Sequence, residues 1–276
     1  MTAVLIVAAL AVCLSASMAG AWLVAIRSGR SGWIDAIWSF ATGGFGAAAA
    51  LIPFAAAEIS TRQMLVALLV LAWSLRLGIH IVGRTARGGD DPRYSQLREE
   101  WGRAFKNRLF WFAQVQALAA LVLAMSIMIA AHNPAPGLGI GDWFGLALLI
   151  IAVAGESLAD RELSDFRADS ANKGKVCDVG LWGVSRHPNY FFEWLGWLAY
   201  VIIAIDFTGA YPWGWLAFAG PLLMYWLLVH ASGIPPLEAH MVRSRGKVFR
   251  EYQQRVNAFW PGPQHTANAS NDGDIR

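Results

Sequence analysis

The sequence predicts an all-α, polytopic membrane protein of seven transmembrane helices, with its N-terminus outside and its C-terminus cytoplasmic. Three observations carry that expectation. Of 276 residues, 56% are hydrophobic and only 15% charged, whereas soluble domains carry roughly 45–50% apolar and about 25% charged residues. The apolar residues gather into runs that approach the ~20 helical residues needed to cross a bilayer core. Lysine and arginine fall almost entirely in alternate connections between those runs, the bias that fixes membrane orientation. The 14 tryptophans agree with this reading, because indole settles at membrane interfaces.

The first run is Val4–Ile26. No lysine or arginine precedes it, and Arg27 and Arg30 follow it. That flank belongs to a span inserted with its N-terminus outside, not to a cleaved leader. The second and third runs are Trp33–Ala57 and Gln63–Val82, and the fourth is Leu109–Ala131. Trp143–Ala159 and Pro188–Ile205 are the two shortest, and Pro212–Ser232 completes the set. Seven spans place Arg27, Arg30, seven basic residues from Arg84 to Arg108, five from Arg161 to Arg186 and six in the tail on the cytoplasmic side. Only Arg62 falls in an outside connection. An even number of spans breaks this alternation. Residues 1–262 then form a single membrane domain, and the polar, Gly/Asn-rich stretch 263–276 is expected to be a disordered tail. Cys13 and Cys177 match no disulfide framework or metal spacing. Neither a metal nor a nucleic-acid partner is expected; membrane lipid is.

Ionisable residues inside membrane spans are costly and are functional candidates. Here they are Asp35, Arg76, His80, Glu156, Glu193 and His230, and all six fall in the cytoplasmic half of their spans. Residues near helix ends also snorkel to the interface, but six gathered at one end suit a pocket open to the cytoplasm. The loop GRTARGGDDPRYSQLREEWGRAFKNR spaces Arg93, Arg98, Arg103 and Arg108 five apart. It reads either as an amphipathic segment on anionic lipid or as a clamp for phosphates. SLADRELSDFRADSANKGKV adds Asp160, Arg167, Lys173 and Lys175, suited to ribose hydroxyls and phosphates. No GxGxxG or Walker pattern is present, which excludes the usual dinucleotide and P-loop sites.

The most specific string is GLWGVSRHPNYFFEWLGW, residues 180–197. It resembles the C-terminal membrane domain of the steroid 5α-reductase superfamily, and more closely a bacterial branch once grouped as a domain of unknown function. GWIDAIWSF (32–40), WSLRLGIHIVGR (73–84) and GGDDPRYSQLREEWG (88–102) support that branch. The resemblance implies NADPH as cofactor and a lipophilic substrate entering from the bilayer of a bacterial cytoplasmic membrane. It carries the cofactor site onto Glu156, Asp160 and Arg167 after span five, with Glu156 standing where the family has Asn. It also carries it onto Asn189, Glu193 and Trp197 on span six, and draws Arg84, Arg186, His187, Tyr190 and Glu238 into the same pocket. Asn189 and Glu193 are four apart, on one helix face, which suits an amide that both donates and accepts. The family's ketone-polarising Glu and Tyr are not simply preserved. Ile81 stands where the Tyr belongs, and Asp35 is offset from the Glu by about two residues. From position alone, Asp35, His80 and Tyr94 are the candidate acids, with Arg76 or His80 expected to reach Asp35.

Three readings stay open. The first is an NADPH-dependent reductase of an enone. The second is a methyltransferase using S-adenosylmethionine, because Arg-His-Pro-x-Tyr and Glu238 also resemble isoprenylcysteine and phospholipid methyltransferases. Those enzymes usually carry a small residue where this chain has Phe192 and Glu193, and a paired Glu-Glu where it has Glu238-Ala239, which favours the reductase. The third is a non-enzymatic lipid-binding or partner-binding membrane protein.

Overall fold

The computed structural model describes residues 3–53, 58–88 and 92–265. Every regular element among them is helical. In chain order the α-helices are α1 (Ala3–Ser28), α2 (Gly32–Leu51), α3 (Thr61–Arg87), α4 (Pro92–Trp101), α5 (Phe105–Ala131), α6 (Ile140–Ala168), α7 (Pro188–Ala204), α8 (Ala219–Trp226), α9 (Ile234–Arg245) and α10 (Lys247–Arg255). Among the described residues, six helical stretches are long and apolar enough to cross a membrane: Ala3–Ser28, Gly32–Leu51, Thr61–Arg87, Arg93–Ala131, Ile140–Ala168 and Pro212–Arg245. The chain is a multi-pass membrane protein. The sixth expected run forms α7, whose 17 residues are ~26 Å long at ~1.5 Å per residue.

The boundaries depart from the apolar runs for local reasons. The second run was expected to reach Ala57, but α2 stops at Leu51 because Ile52, ahead of Pro53, is extended, as the residue before a proline prefers. Residues 54–57 of that run lie outside the described residues. Helix α6 outlasts its run by nine residues, Asp160–Ala168; the segment loses apolarity but keeps helix-forming Glu, Leu, Arg and Ala. The last run is not one helix. Pro212–Phe218 is 3₁₀, α8 follows, and Leu227–Ala231 is π-helical. The Ser232 amide accordingly donates to Leu227 O at 2.8 Å, five residues back. Of the expected tail, residues 266–276 lie outside the described residues.

The described residues divide into two compact units, those within 1–153 together with 194–226, and 154–193 together with those within 227–265. In the first unit α2 packs on α1, α3 and α5. Helix α1 buries Ile6, Leu10, Leu14, Met18, Ala21 and Ala25 at three- and four-residue spacing and leaves Val4, Leu5 and Val12 more than half exposed, an outward apolar face that only lipid covers without penalty. Small residues bring α2 and α3 together. A Cβ added at Gly43 stands 2.1 Å from the Ser74 Cβ, the close backbone approach common in membrane helix pairs.

The far end of this unit is tied by Arg62, only 5% exposed. Its Nε and Nη2 each donate to Asp142 at 2.8 Å, and its remaining donors reach the carbonyls of Asn133, Ala135 and Gly137 at 2.6–2.7 Å. The one basic residue assigned to the outside connections is therefore an internal clamp.

In the second unit α10 lays Phe249 and Tyr252, with Val256 beyond it, against Val176, Met241 and Val242. The Tyr252 hydroxyl donates to Trp182 O at 2.6 Å, and the Trp182 indole donates to Ala159 O at 2.9 Å. Gly180, at φ +56°, lets the chain pass beside Glu162, whose carboxylate accepts from the Leu181 amide at 2.9 Å.

Candidate functional site

In the first unit the chemistry collects around Asp35, in the first turn of α2. Helix α4, read from sequence as part of a charged loop, turns Tyr94, Leu97 and Trp101 into the apolar cluster of α1, α2 and α5. That face places Tyr94, 2% exposed, so that its hydroxyl donates to Asp35 Oδ1 at 2.8 Å. Arg93, next in sequence, donates to Asp35 Oδ2 at 2.7 Å, and the Gln116 amide approaches Oδ1 at 3.5 Å. A guanidinium that meets Asp35 thus comes from α4, a partner the sequence reading did not name. The phenol ring is held edge-on by Phe112, centroids 6.0 Å apart. Thr42 Oγ1 and Gln116 Oε1 are buried in this unit with no hydrogen-bond partner among the described residues.

His80 and Arg84 lie on exposed positions near the end of α3. Trp197, 2% exposed, stacks edge-on against Trp73 at 5.0 Å and leans on Tyr200 at 5.5 Å. It belongs to the aromatic core of the first unit.

The second unit holds the rest of the candidates. Glu156 on α6 and Glu193 on α7 are 5% and 7% exposed, burial that carboxylates rarely tolerate without polar company. Asn189 in the first turn of α7 donates to Asp160 Oδ1 at 3.3 Å and accepts from the Tyr190 amide at 3.0 Å. Phe192 is seated against Gly155, where a Cβ stands 2.4 Å from its ring. Arg167 is exposed at the end of α6.

Glu238 on α9 is the hub of a second network. Arg186 donates to both its oxygens at 2.7 and 3.2 Å, His187 Nε2 lies 2.9 Å from Oε1, and Gln253 donates to Oε2 at 2.6 Å. Arg186 Nη1 also donates to the carbonyls of Gln253 and Val256. Arg186 and Glu238 are thereby engaged with each other and with α10. His187, 4% exposed, stacks on Tyr190 with ring centroids 5.4 Å apart. Burial pushes the His187 pKa down, against the opposing pull of Glu238. The neutral ring faces an acceptor-only carboxylate, so Nε2 carries the hydrogen.

Sequence reasoning named Asp35, Tyr94, Asn189, Asp160, Arg186, His187 and Glu238 and missed what joins them. Arg93 was named only as one of four evenly spaced arginines, for lipid or phosphate and not for Asp35, and Gln253 was not singled out. The adjacency of Arg93 and Tyr94 after Pro92 was the available signal for the first; nothing local marks the second.

The family described as "Protein of unknown function (DUF1295)" matches residues 21–256. The chain is also 25% identical over 265 residues to the uncharacterized protein C594.04c of Schizosaccharomyces pombe (strain 972 / ATCC 24843), covering 87% of this chain and 75% of that protein. No solved structure matches. With more than four fifths of its length matched, the chain belongs to the DUF1295 family.

Proposed function

We propose that the protein is a membrane-embedded reductase that uses NADPH to reduce the carbon–carbon double bond of an enone in a lipophilic substrate. The observation that carries this reading is the buried Asp35–Tyr94 hydrogen bond, with Arg93 on the other carboxylate oxygen. The reductases this chain resembles polarise a ketone with a carboxyl and a phenol. Here the same two groups meet although the Tyr comes from α4 instead of span three.

In this reading Tyr94 is the hydrogen-bond donor to the substrate carbonyl. Arg93 holds Asp35 as the acceptor that orients the phenol, and a carbonyl oxygen beside Tyr94 competes for its single hydrogen. A positioned donor aimed at developing oxyanion charge is worth several kcal/mol in a water-poor site, roughly 2.7–4. NADPH, when bound, supplies the hydride to the β-carbon. The donor set of the second unit suits such a cofactor: the Asn189–Asp160 contact is long enough to yield to a ligand, and the buried Glu156 and Glu193 can accept from amide and hydroxyl groups. Arg167 supplies a guanidinium for phosphate. Phe192, filling the space above Gly155, occupies a position where the methyltransferases keep a small residue.

The same proposal includes seven spans, with α7 as the sixth, the N-terminus outside and the C-terminus in the cytoplasm. Glycosylatable or phosphatase reporters at the two ends report opposite sides; both on one side removes the seventh span. The test of the activity is the nucleotide retained by detergent-purified protein. Recovery of NADPH supports the reductase, S-adenosylmethionine overturns it in favour of methyl transfer, and failure to retain or bind either nucleotide removes the enzymatic reading.

A further inference from the structure

A cleft of about 440 Å³ opens in the second unit between the end of α6, the loop 170–177 and α9. Four cations line it, Arg167, Lys173, Lys175 and Arg245, against one carboxylate, Asp169. That carboxylate is occupied in capping the 3₁₀ turn Ser170–Asn172, where it accepts from the Ala171 amide at 2.9 Å. Gly174, at φ +87°, reverses the chain between the two lysines. Among the described residues no carboxylate is paired with Lys173, Lys175 or Arg245. Lys173, Lys175 and Arg245 around one hollow repel one another, and an anion placed among them relieves that repulsion.

The dimensions and the walls narrow the ligand. The cationic excess suits a dianion better than a single carboxylate, and guanidinium and ammonium groups together are the usual cradle of phosphate. The volume exceeds what a bare phosphate fills and falls in the range of small-molecule pockets, roughly 300–1,000 Å³. Phe166 and Met241 supply apolar wall for an organic portion.

The position of the cleft along α6 separates two sources of such a phosphate. The apolar run of α6 ends at Ala159, and Arg167 lies eight residues further along the same helix. Eight residues rise ~12 Å, whereas the polar interface on each side of a bilayer is only about 5–7 Å deep. The rise along α6 thus carries the cleft away from the apolar run toward water, which favours a soluble phosphate over a lipid headgroup.

We propose that this cleft binds the phosphate of a water-soluble phosphomonoester. The inference shares Arg167 with the NADPH reading but stands on Lys173, Lys175 and Arg245 and does not rest on that reading, and its probe contains no nicotinamide. Phenyl phosphate is titrated into the full-length protein in neutral detergent by calorimetry, alongside the Lys175→Gln/Arg245→Gln and Lys173→Gln/Lys175→Gln variants. All these side chains are exposed, and circular dichroism monitors the fold of each variant. Saturable binding is expected, at least tenfold weaker in both variants, weakened by salt, and at least tenfold weaker for benzoate than for phenyl phosphate. The titration is repeated in nanodiscs of phosphatidylcholine with and without phosphatidic acid, whose headgroup is itself a phosphomonoester. Equal affinity in the two bilayers supports the soluble source. Competition by phosphatidic acid overturns it, and so does absence of saturable binding or unchanged affinity in the folded variants.

Discussion

Replacing Glu238 by Gln separates a structural hub from a cofactor ligand. The carboxylate accepts from Arg186 twice, from Gln253, and from His187, and the Arg186 and Glu238 side chains are only 10% and 13% exposed. A glutamine keeps the volume but turns an NH₂ donor toward groups that are themselves donors, and it leaves the guanidinium without its counter-charge. Removing one partner of a buried ion pair costs about 3–5 kcal/mol. The residual exposure of both side chains argues for the lower end, about 3 kcal/mol. At ~2–4 °C per kcal/mol for a chain of this size class, the unfolding midpoint in detergent falls by about 6–12 °C. Fluorescence-detected thermal unfolding measures the midpoint, and equilibrium titration of NADPH measures affinity on the folded variant at low temperature. The hub account expects the thermal loss with less than threefold change in affinity. A variant of unchanged midpoint that binds NADPH tenfold more weakly refutes it and returns Glu238 to the cofactor pocket.

Other outcomes follow from the same structure. Arg62→Ala leaves Asp142, 3% exposed at its side chain, without its bidentate partner, and an unfolding midpoint within ~2 °C of the parent protein contradicts the clamp; the paired Arg62→Met/Asp142→Leu variant recovers most of the ~3–5 kcal/mol loss. Burial depresses the His187 pKa, so below about pH 6.5, the ordinary histidine value, the unfolded chain binds more protons than the folded one. Stability then falls as pH drops from about 6.5 toward the folded-state value and is unaffected above it. His187→Asn flattens that part of the pH–midpoint curve relative to the parent protein, and an identical slope in both proteins counts against a neutral, buried His187. Gly43→Val drives two methyl groups into Ser74 and separates α2 from α3; normal yield and midpoint for that variant contradict the close approach.

What could be read from sequence follows from which constraints are local. Lipid demands long apolar runs, so the spans of α1, α3 and α5 were visible. The end of α2 before Pro53 was missed because the apolar composition continues beyond the helix. The extension of α6 was missed for the opposite reason: Asp160–Ala168 keeps helix propensity in water after the apolar signal has gone. Breaking of the last run into 3₁₀, α and π segments depends on backbone contacts such as that of Gly214, whose Cβ position lies 2.2 Å from Ala204 O, and composition does not encode them. In the site, Asp35 was legible as an acid inside a span. Its partner Arg93 was not, because 58 residues separate the pair and Arg93 sits in a segment already crowded with arginines. Residue type likewise nominated Arg186 and Glu238 but could not show that they bind each other.

The most direct test of the account is turnover of purified protein in nanodiscs with NADPH and a lipophilic enone, following NADPH absorbance and the saturated ketone together. The account predicts enone-dependent NADPH consumption with equal formation of the saturated product. It predicts that Tyr94→Phe lowers kcat by about 10²-fold or more, as for loss of a positioned hydrogen-bond donor to the developing oxyanion, with less than threefold change in NADPH affinity. Full turnover in Tyr94→Phe, or NADPH binding without reduction of any enone across a panel of steroid, isoprenoid and fatty substrates, contradicts it.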